Sequence, residues 1–345
     1  MPRVKLRITV DTLRLAAPFR ISGFVFENQD VVLVELQDGE HRGRGEASGV
    51  YYFGDTAEKM LAAIEAHRGQ IEAGISRAAL QQLLPPGGAR NALDCALWEL
   101  DASRASQPVW KLAGLPTLNP LVTTFTLGAD DPAVMAEGAR KYSHARSLKL
   151  KLTGDVEQDI ARVRAVRSAR PGVWIGVDAN QGYTLDALRR LMDELIRAEV
   201  ALLEQPLARG READLEGFSS PIPIAADESA LSLADLPGLV GRFNIVNIKL
   251  DKCGGLTEGL EMARTARDLG LGVMVGNMVG SSLAMAPGFI LGQLCDVVDL
   301  DGPIFLAADR TPSAIYADGK IQCGQEIWGS GGPQRGGLRV TDPTA

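Results

Sequence analysis

Histidine and cysteine are scarce in this chain. Its 345 residues include three histidines (His41, His67, His144) and four cysteines (Cys95, Cys253, Cys295, Cys323). The cysteines lie too far apart for CxxC metal or redox motifs, and four thiols at this length are no disulfide scaffold. Zinc-type sites and Ser-His-Asp chemistry are therefore not expected, and any metal would be held by oxygen ligands. A basic surplus is missing too. With 36 basic and 43 acidic side chains the formal net charge is −7, which argues against nucleic acid as a partner. Neither a P-loop nor a GxGxxG following a strand occurs.

Long apolar runs are also lacking. The N-terminus, MPRVKLRITVDTLRL, alternates charged and apolar residues and has no signal-peptide core. Charge is absent between Asp268 and Asp296, a stretch that could hold the ~20 apolar residues of a spanning helix. Gly270, Gly272, Gly276, Gly280, Pro287, Gly288 and Gly292 break it up. A short buried strand and a small-residue helix fit it better, so the expectation is a cytoplasmic protein with no membrane partner. Glycine is what abounds: 38 residues, about 11% where about 7% is usual.

Short apolar runs recur from residue 121 onward: 121–127, 147–152, 173–178, 200–204, 222–227, 243–250, 271–276 and 296–301. Amphipathic segments separate most of them. In 184–199, Leu185, Leu188, Leu191, Leu195 and Ile196 share a helical face behind a Thr184 N-cap. Eight strands alternating with helices imply a closed parallel barrel of α/β class. No strong helix follows the eighth run, and the Gly/Pro-rich tail is expected to run back over the protein. The first ~115 residues read instead as a three-stranded antiparallel meander followed by helices near 55–73, 76–84 and 88–113. The expected division is an α+β capping domain at 1–117, a barrel at 118–310 and a returning segment at 311–345.

Ionisable residues and one amide close the barrel runs: Lys151, Asp178, Glu204, Asp227, Lys249, Asn277 and Asp299, spaced by 22–28 residues. One such interval is one strand–helix unit, so all should converge on the C-terminal mouth, where this architecture builds active sites. In Ser147–Leu152 the leucines face the helices, and Lys149 and Lys151 then face the barrel interior. An edge strand explains KLK alone equally well; inside a barrel the buried ammoniums need carboxylates nearby. Asp178, Glu204 and Asp227 on three consecutive strands repel one another unless a cation bridges them, and Mg²⁺ suits an all-oxygen set. A salt bridge or helix cap is the bland alternative for each carboxylate taken singly. Such a cation stabilises the charge formed when an α-proton leaves a carboxylate substrate. Lys151 and Lys249 can then remove and return that proton from opposite faces, with Lys149 and the metal lowering the base's pKa.

Lys149-Leu-Lys151, Asp178-Ala-Asn180, Glu204-Gln-Pro206, Ala226-Asp-Glu-Ser229 and Lys249 together resemble the enolase superfamily in its muconate-lactonizing-like subgroup. The resemblance implies a (β/α)7β TIM-type barrel beneath an N-terminal capping domain, Asn180 and Glu228 behind the metal ligands, Lys149 at the substrate carboxylate, and a homo-oligomer. LPPGGARNALDCALWEL (84–100), VNIKLDKCGGLTEGL (246–260) and Asp299-Leu-Asp301 are similar to dipeptide epimerases of the L-Ala-D/L-Glu type. That likeness implies Asp299 and Asp301 as acceptors for a dipeptide's α-ammonium. Glutamate-specific relatives carry an arginine in the first capping loop. Here Gly23 or Phe24 stands in its place, with Arg20 nearby. Phe24 and Phe26, with Tyr51, Tyr52 and Phe53, suggest a partly apolar substrate pocket, or equally plain interface packing. Asn277 and Met278 complete the expected specificity wall.

A Mg²⁺-dependent, two-lysine epimerase of L-Xaa-Xaa dipeptides, acting through an enediolate, is thus the leading expectation. The substrate is L-Ala-D/L-Glu or a more hydrophobic dipeptide. Muconate cycloisomerase, o-succinylbenzoate synthase and N-acylamino acid racemase share the lysines and metal set without needing the Asp299/Asp301 pair. A non-catalytic barrel would be free to lose one of these groups, and all are present.

Overall fold

The computed structural model describes residues 4–21, 23–332 and 339–340. The chain opens with an antiparallel meander, β1 (Lys5–Ile21), β2 (Phe24–Asp38) and β3 (His41–Ala47). The β1–β2 hairpin is longer than the sequence pattern suggests. Its pairing shifts between Arg14 and Phe19 and then resumes to the tip at Ile21 and Phe24, so the first capping loop is a strand extension. β3 carries glycine on one face for a reason. A methyl on Gly43 or Gly45 would sit 2.0 Å from the carbonyl oxygens of Ala96 and Ala92, because the helix Gly88–Ala105 packs directly on that backbone. Val32, Val34, Leu36, Ala92, Leu93 and Ala96 form the core beneath.

The helical stretch expected at 88–113 is divided into Gly88–Ala105 and Val109–Leu112. Ser106 adopts left-handed geometry (φ 50°) and Pro108 follows two residues later, a combination that ends a helix. Likewise 55–73 resolves into Ala57–Glu65 and Arg68–Glu72.

Eight parallel barrel strands follow in sequence order: Thr124–Leu127, Ser147–Lys151, Trp174–Asp178, Leu202–Glu204, Ile224–Ala226, Ile245–Lys249, Gly272–Gly276 and Val297–Val298. Each falls inside one of the eight apolar runs. No described backbone pairing joins the first strand to the eighth, so the barrel is nearly closed. Side chains cross that seam: Leu300 N donates to Thr123 Oγ1 at 3.0 Å, Thr126 N donates to Asp301 Oδ2 at 2.7 Å, and Thr124 Oγ1 donates to Asp299 Oδ1. Beyond the eighth strand the described residues hold only a turn of 3-10 helix (Gly302–Phe305) and short strands.

Leu188, Leu191 and Leu195 of the helix Leu185–Arg197 are fully buried against the barrel, and Thr184 Oγ1 caps it by accepting from Ala187 N. Ile196 departs from expectation and is 45% exposed; one residue beyond Leu195 is 100° around the axis, past the edge of the apolar stripe. Leu148 and Leu150 face the helices as the alternation requires. Inside the barrel, Leu202, Ala225 and Met274 form an apolar floor, two residues below the charged mouth on the fourth and fifth strands. The described helices include none long and apolar enough to cross a membrane.

Candidate active site

The strand ends set the site's geometry. Lys151 pairs in register with Asp178, and Asp178 with Glu204, so these three share one level. The register then climbs. Glu204 is opposite Ala225 and Ala226 is opposite Val246, which lifts Asp227 two residues higher and Lys249 two higher again. The residues converge on the C-terminal mouth as their spacing implies, and strand tilt arranges them there as a rising arc.

Asp178, Glu204 and Asp227 are buried, and each offers a carboxylate oxygen within 4.8 Å of the others. Lys149 Nζ lies among them, 2.7 Å from Glu204 Oε2, 2.8 Å from Asp299 Oδ2 and 3.1 Å from Asp178 Oδ2. Lys151 Nζ donates to Asp178 Oδ2 at 2.6 Å, and Lys249 Nζ to Asp227 Oδ2 at 2.7 Å. Asn180 N donates to Asp178 Oδ1, and its amide reaches Glu228 Oε1 at 3.5 Å.

Sequence reasoning missed three members of this network. Lys252 Nζ donates to Asp227 Oδ1 at 2.5 Å. Asn247 Nδ2 donates to Glu204 Oε1 at 2.8 Å. Gln205 Oε1 accepts from the backbone N–H groups of Asp227 and Ser229. The available signal was periodicity: Asn247 and Lys249 alternate inward on one strand, and Gln205 adjoins a ligand.

Burial raises all these carboxyls, and the ammonium groups decide which stay ionised. Lys151 and Lys149 override burial at Asp178, and Lys249 and Lys252 do so at Asp227; both carboxyls are held below their ordinary range. Glu204 is pushed up to about 7 by burial and by Asp178, and Glu228 to about 8 by burial, Asp227 and Asp178. Asp301 rises to about 7 through burial and Asp299. Six buried carboxyls (178, 204, 227, 228, 299, 301) face four buried ammoniums (149, 151, 249, 252), so with every group ionised the excess would be two negative charges. An oxygen-ligated divalent cation fits both the donor set and that excess. At Lys249 the protein alone does not produce the lowered pKa expected of a base. Burial lowers Lys249, but Asp227 outweighs it and holds the ammonium above its ordinary value.

A cavity with about 590 Å³ of empty space, open mouth included, lies above the cluster. Lys151, Asp227, Glu228 and Lys249 line it from the barrel, as do Asn180, Asn277 and Met278. Phe26, Tyr51 and Tyr52 line it from the meander side together with Phe19, Ile21 and Gln29, three residues the sequence did not single out for it. Phe24 opens β2, and its side chain is outside the described residues, as is Ser22. Phe53 belongs elsewhere: it is 48% exposed, with the Arg209 guanidinium against its ring. Arg20 pairs with Asp130 and is not part of the cavity wall. Asn277 Nδ2 donates to Asp299 O at 2.6 Å. Asp299 and Asp301 sit at the seam on their threonine and lysine partners and are not among the lining residues.

Comparison with known proteins adds to this geometry. A family model described as mandelate racemase/muconate lactonizing enzyme, N-terminal domain, matches residues 3–114, and one described as enolase C-terminal domain-like matches residues 133–300. The chain is 38% identical over 307 residues to an L-Ala-D/L-Glu epimerase of Escherichia coli (strain K12), covering 89% of this chain and 96% of the relative. It is 42% identical over 247 residues to an N-acetyl-D-glutamate racemase of a Pseudoalteromonas species, covering 71% and 78%. A dipeptide epimerase structure from Enterococcus faecalis V583, complexed with Mg and L-Leu-L-Tyr, superposes with a TM-score of 0.89 at 27% identity, covering 96% and 99%.

Proposed function

The chain belongs to the enolase superfamily, in the family of mandelate racemase and muconate lactonizing enzyme, and from that premise we propose that it is a Mg²⁺-dependent dipeptide epimerase inverting the α-carbon of the C-terminal residue. One observation carries the reading. Lys151 on the second barrel strand and Lys249 on the sixth open on one cavity, and the three strands between them bear Asp178, Glu204 and Asp227. The similarity to the E. coli epimerase and to the Mg- and dipeptide-bound E. faecalis enzyme supports the choice of reaction and metal.

Asp178, Glu204 and Asp227 would hold the cation, which supplies Lewis-acid stabilisation of negative charge on the substrate carboxylate. Lys151 and Lys249 approach the α-carbon from opposite sides, one taking its proton and the other delivering one to the other face. Asp178 and Asp227 accept from the Lys151 and Lys249 ammoniums and so hold both lysines at the cavity wall. Lys149 stays fixed by Glu204 and Asp299 and presents positive charge to the carboxylate end of the substrate. The apolar walls of Phe19, Ile21 and Phe26 keep water from the reacting carbon. In this reading residues 1–117 form the cap and 118–310 the barrel. Residues 311–345 form the returning segment, of which 333–338 and 341–345 lie outside the described residues; in the described part Arg44 donates to Ile327 O at 2.7 Å, which supports a return to the cap. Four free cysteines are consistent with the cytoplasm.

A second reading is racemisation of an N-acyl amino acid. Asp299 and Asp301 are engaged at the seam rather than lining the cavity, and the Pseudoalteromonas relative is an N-acetyl-D-glutamate racemase. The experiment is mass spectrometry in deuterated water with Mg²⁺, using a dipeptide library and the matching N-acetyl amino acids. Faster α-deuteration of dipeptides supports epimerisation. Exchange restricted to the N-acetyl compounds selects the second reading, and no exchange in either set refutes both.

A further inference from the structure

Lys252 is a fully buried ammonium that the mechanism above does not use. It lies on the one-turn helix Leu250–Cys253 that follows directly from the sixth barrel strand. Three residues beyond Lys249, it returns to the same side of the chain, so the two lysines flank Asp227. An ammonium has three donors, and Lys252 has three acceptors: Asp227 Oδ1 at 2.5 Å, Asp227 O at 2.5 Å and Asn247 O at 3.0 Å. Among the described residues no other group donates to Asp227 Oδ1. The opposite oxygen, Oδ2, takes Lys249 at 2.7 Å. Asn247, whose carbonyl accepts from Lys252, holds Glu204 Oε1 with its side-chain amide at 2.8 Å. Lys252 therefore stands behind two of the three clustered carboxylates, touching one and reaching the other through Asn247. Unlike Lys149, which contacts Glu204, Asp299 and Asp178, it reaches Asp227 alone among these carboxylates.

We propose that Lys252 is a positioning residue: it fixes Asp227, and through Asn247 also Glu204, in the orientation that gathers their oxygens around one cation. This rests on the reading of Asp178, Glu204 and Asp227 as the metal site. Hydrogen bonds that orient metal ligands commonly contribute 10- to 100-fold to affinity. Charge alone makes the opposite prediction, because deleting an ammonium leaves the cluster more negative and should tighten cation binding.

The test titrates Mn²⁺ into metal-stripped protein and follows the electron paramagnetic resonance signal of the free ion. Lys252→Met is expected to weaken Mn²⁺ binding about tenfold or more. Lys252→Gln, which retains two donors without charge, is expected to fall between Met and the parent. Unchanged or tighter binding in both variants overturns the proposal. If Lys252→Met does not fold, Lys252→Gln decides alone: weaker binding supports positioning, and equal or tighter binding refutes it. If both fail to fold, Lys252 is a folding residue and the proposal is likewise overturned. A parent protein that binds no Mn²⁺ is a different result, since it removes the metal-site reading itself.

Discussion

Lys149→Met tests the charge balance of the site directly. The Lys149 ammonium is buried, and its three carboxylate contacts lie at 2.7, 2.8 and 3.1 Å. Met keeps most of the side-chain volume and removes the charge, so the loss is electrostatic rather than a cavity. Breaking a buried pair by deleting one partner destabilises by about 3–5 kcal/mol, and here Glu204, Asp299 and Asp178 all lose their neighbour. Proton uptake limits the damage, because Glu204 already sits at about 7 and rises further when Lys149 is gone. The loss should therefore approach the upper figure at pH 8 and be smaller at pH 6. A divalent cation replaces the missing charge, and at a hundred times its dissociation constant it returns about 2.7 kcal/mol. Urea denaturation followed by circular dichroism, at both pH values with EDTA and with Mg²⁺, measures each quantity. A metal-free loss at pH 8 of only about 1 kcal/mol, the scale of an exposed ion pair, would refute the reasoning. So would a loss that Mg²⁺ leaves unchanged.

Three further outcomes follow from the same geometry. Lys151→Ala and Lys249→Ala should each abolish epimerisation while leaving α-proton exchange on one epimer; NMR in deuterated water checks this, and undiminished turnover in either variant contradicts the two-base scheme. Metal-stripped protein should be most stable near pH 4. Asp94 and Asp251, raised by burial from 3.8 to about 6, hold protons more tightly folded than unfolded, so stability falls as pH rises from about 4 to 6. Glu204, Asp301 and Glu228 carry that fall on to about pH 8. Asp178 and Asp227, held low, contribute stability that is lost below about pH 4. Mg²⁺ should flatten the upper limb, and denaturant midpoints across pH measure the profile. Trp328→Ala should cost about 3–5 kcal/mol, since the ring is buried and its Nε1 donates to Arg44 O at 2.9 Å; a midpoint within error of the parent would show that the returning segment is not integral to the cap.

What the sequence made legible followed from periodicity. Alternation in 147–152 separated Leu148 and Leu150 from Lys149 and Lys151, and strand-end spacing brought Asp178, Glu204 and Asp227 together, because both depend on backbone geometry that repeats. What stayed hidden was non-periodic. The length of the β1–β2 hairpin depends on a register shift after Arg14, which no local pattern announces. The climb of Asp227 and Lys249 above Glu204 depends on strand tilt, a property of the closed sheet. Lys252 precedes a buried Cys253 and a glycine pair, a context that reads as an ordinary turn; only the neighbouring strand end turns it into a buried counter-ion. Asp299 and Asp301 were legible as a facing pair, but not their attachment to Thr124 and Thr126, which lie 175 residues away.

That attachment constrains how the protein can change. Asp299 and Asp301 are the stitches between two strands that share no described backbone ladder, and a substrate ammonium, were it to draw on either carboxylate, would pull on a stitch. Variation that retunes recognition at these positions also loosens the cylinder there. New substrate preferences are accordingly easier to acquire from the meander side of the cavity, at Ile21, Phe26 or Gln29, where a side chain can be exchanged without unfastening the barrel.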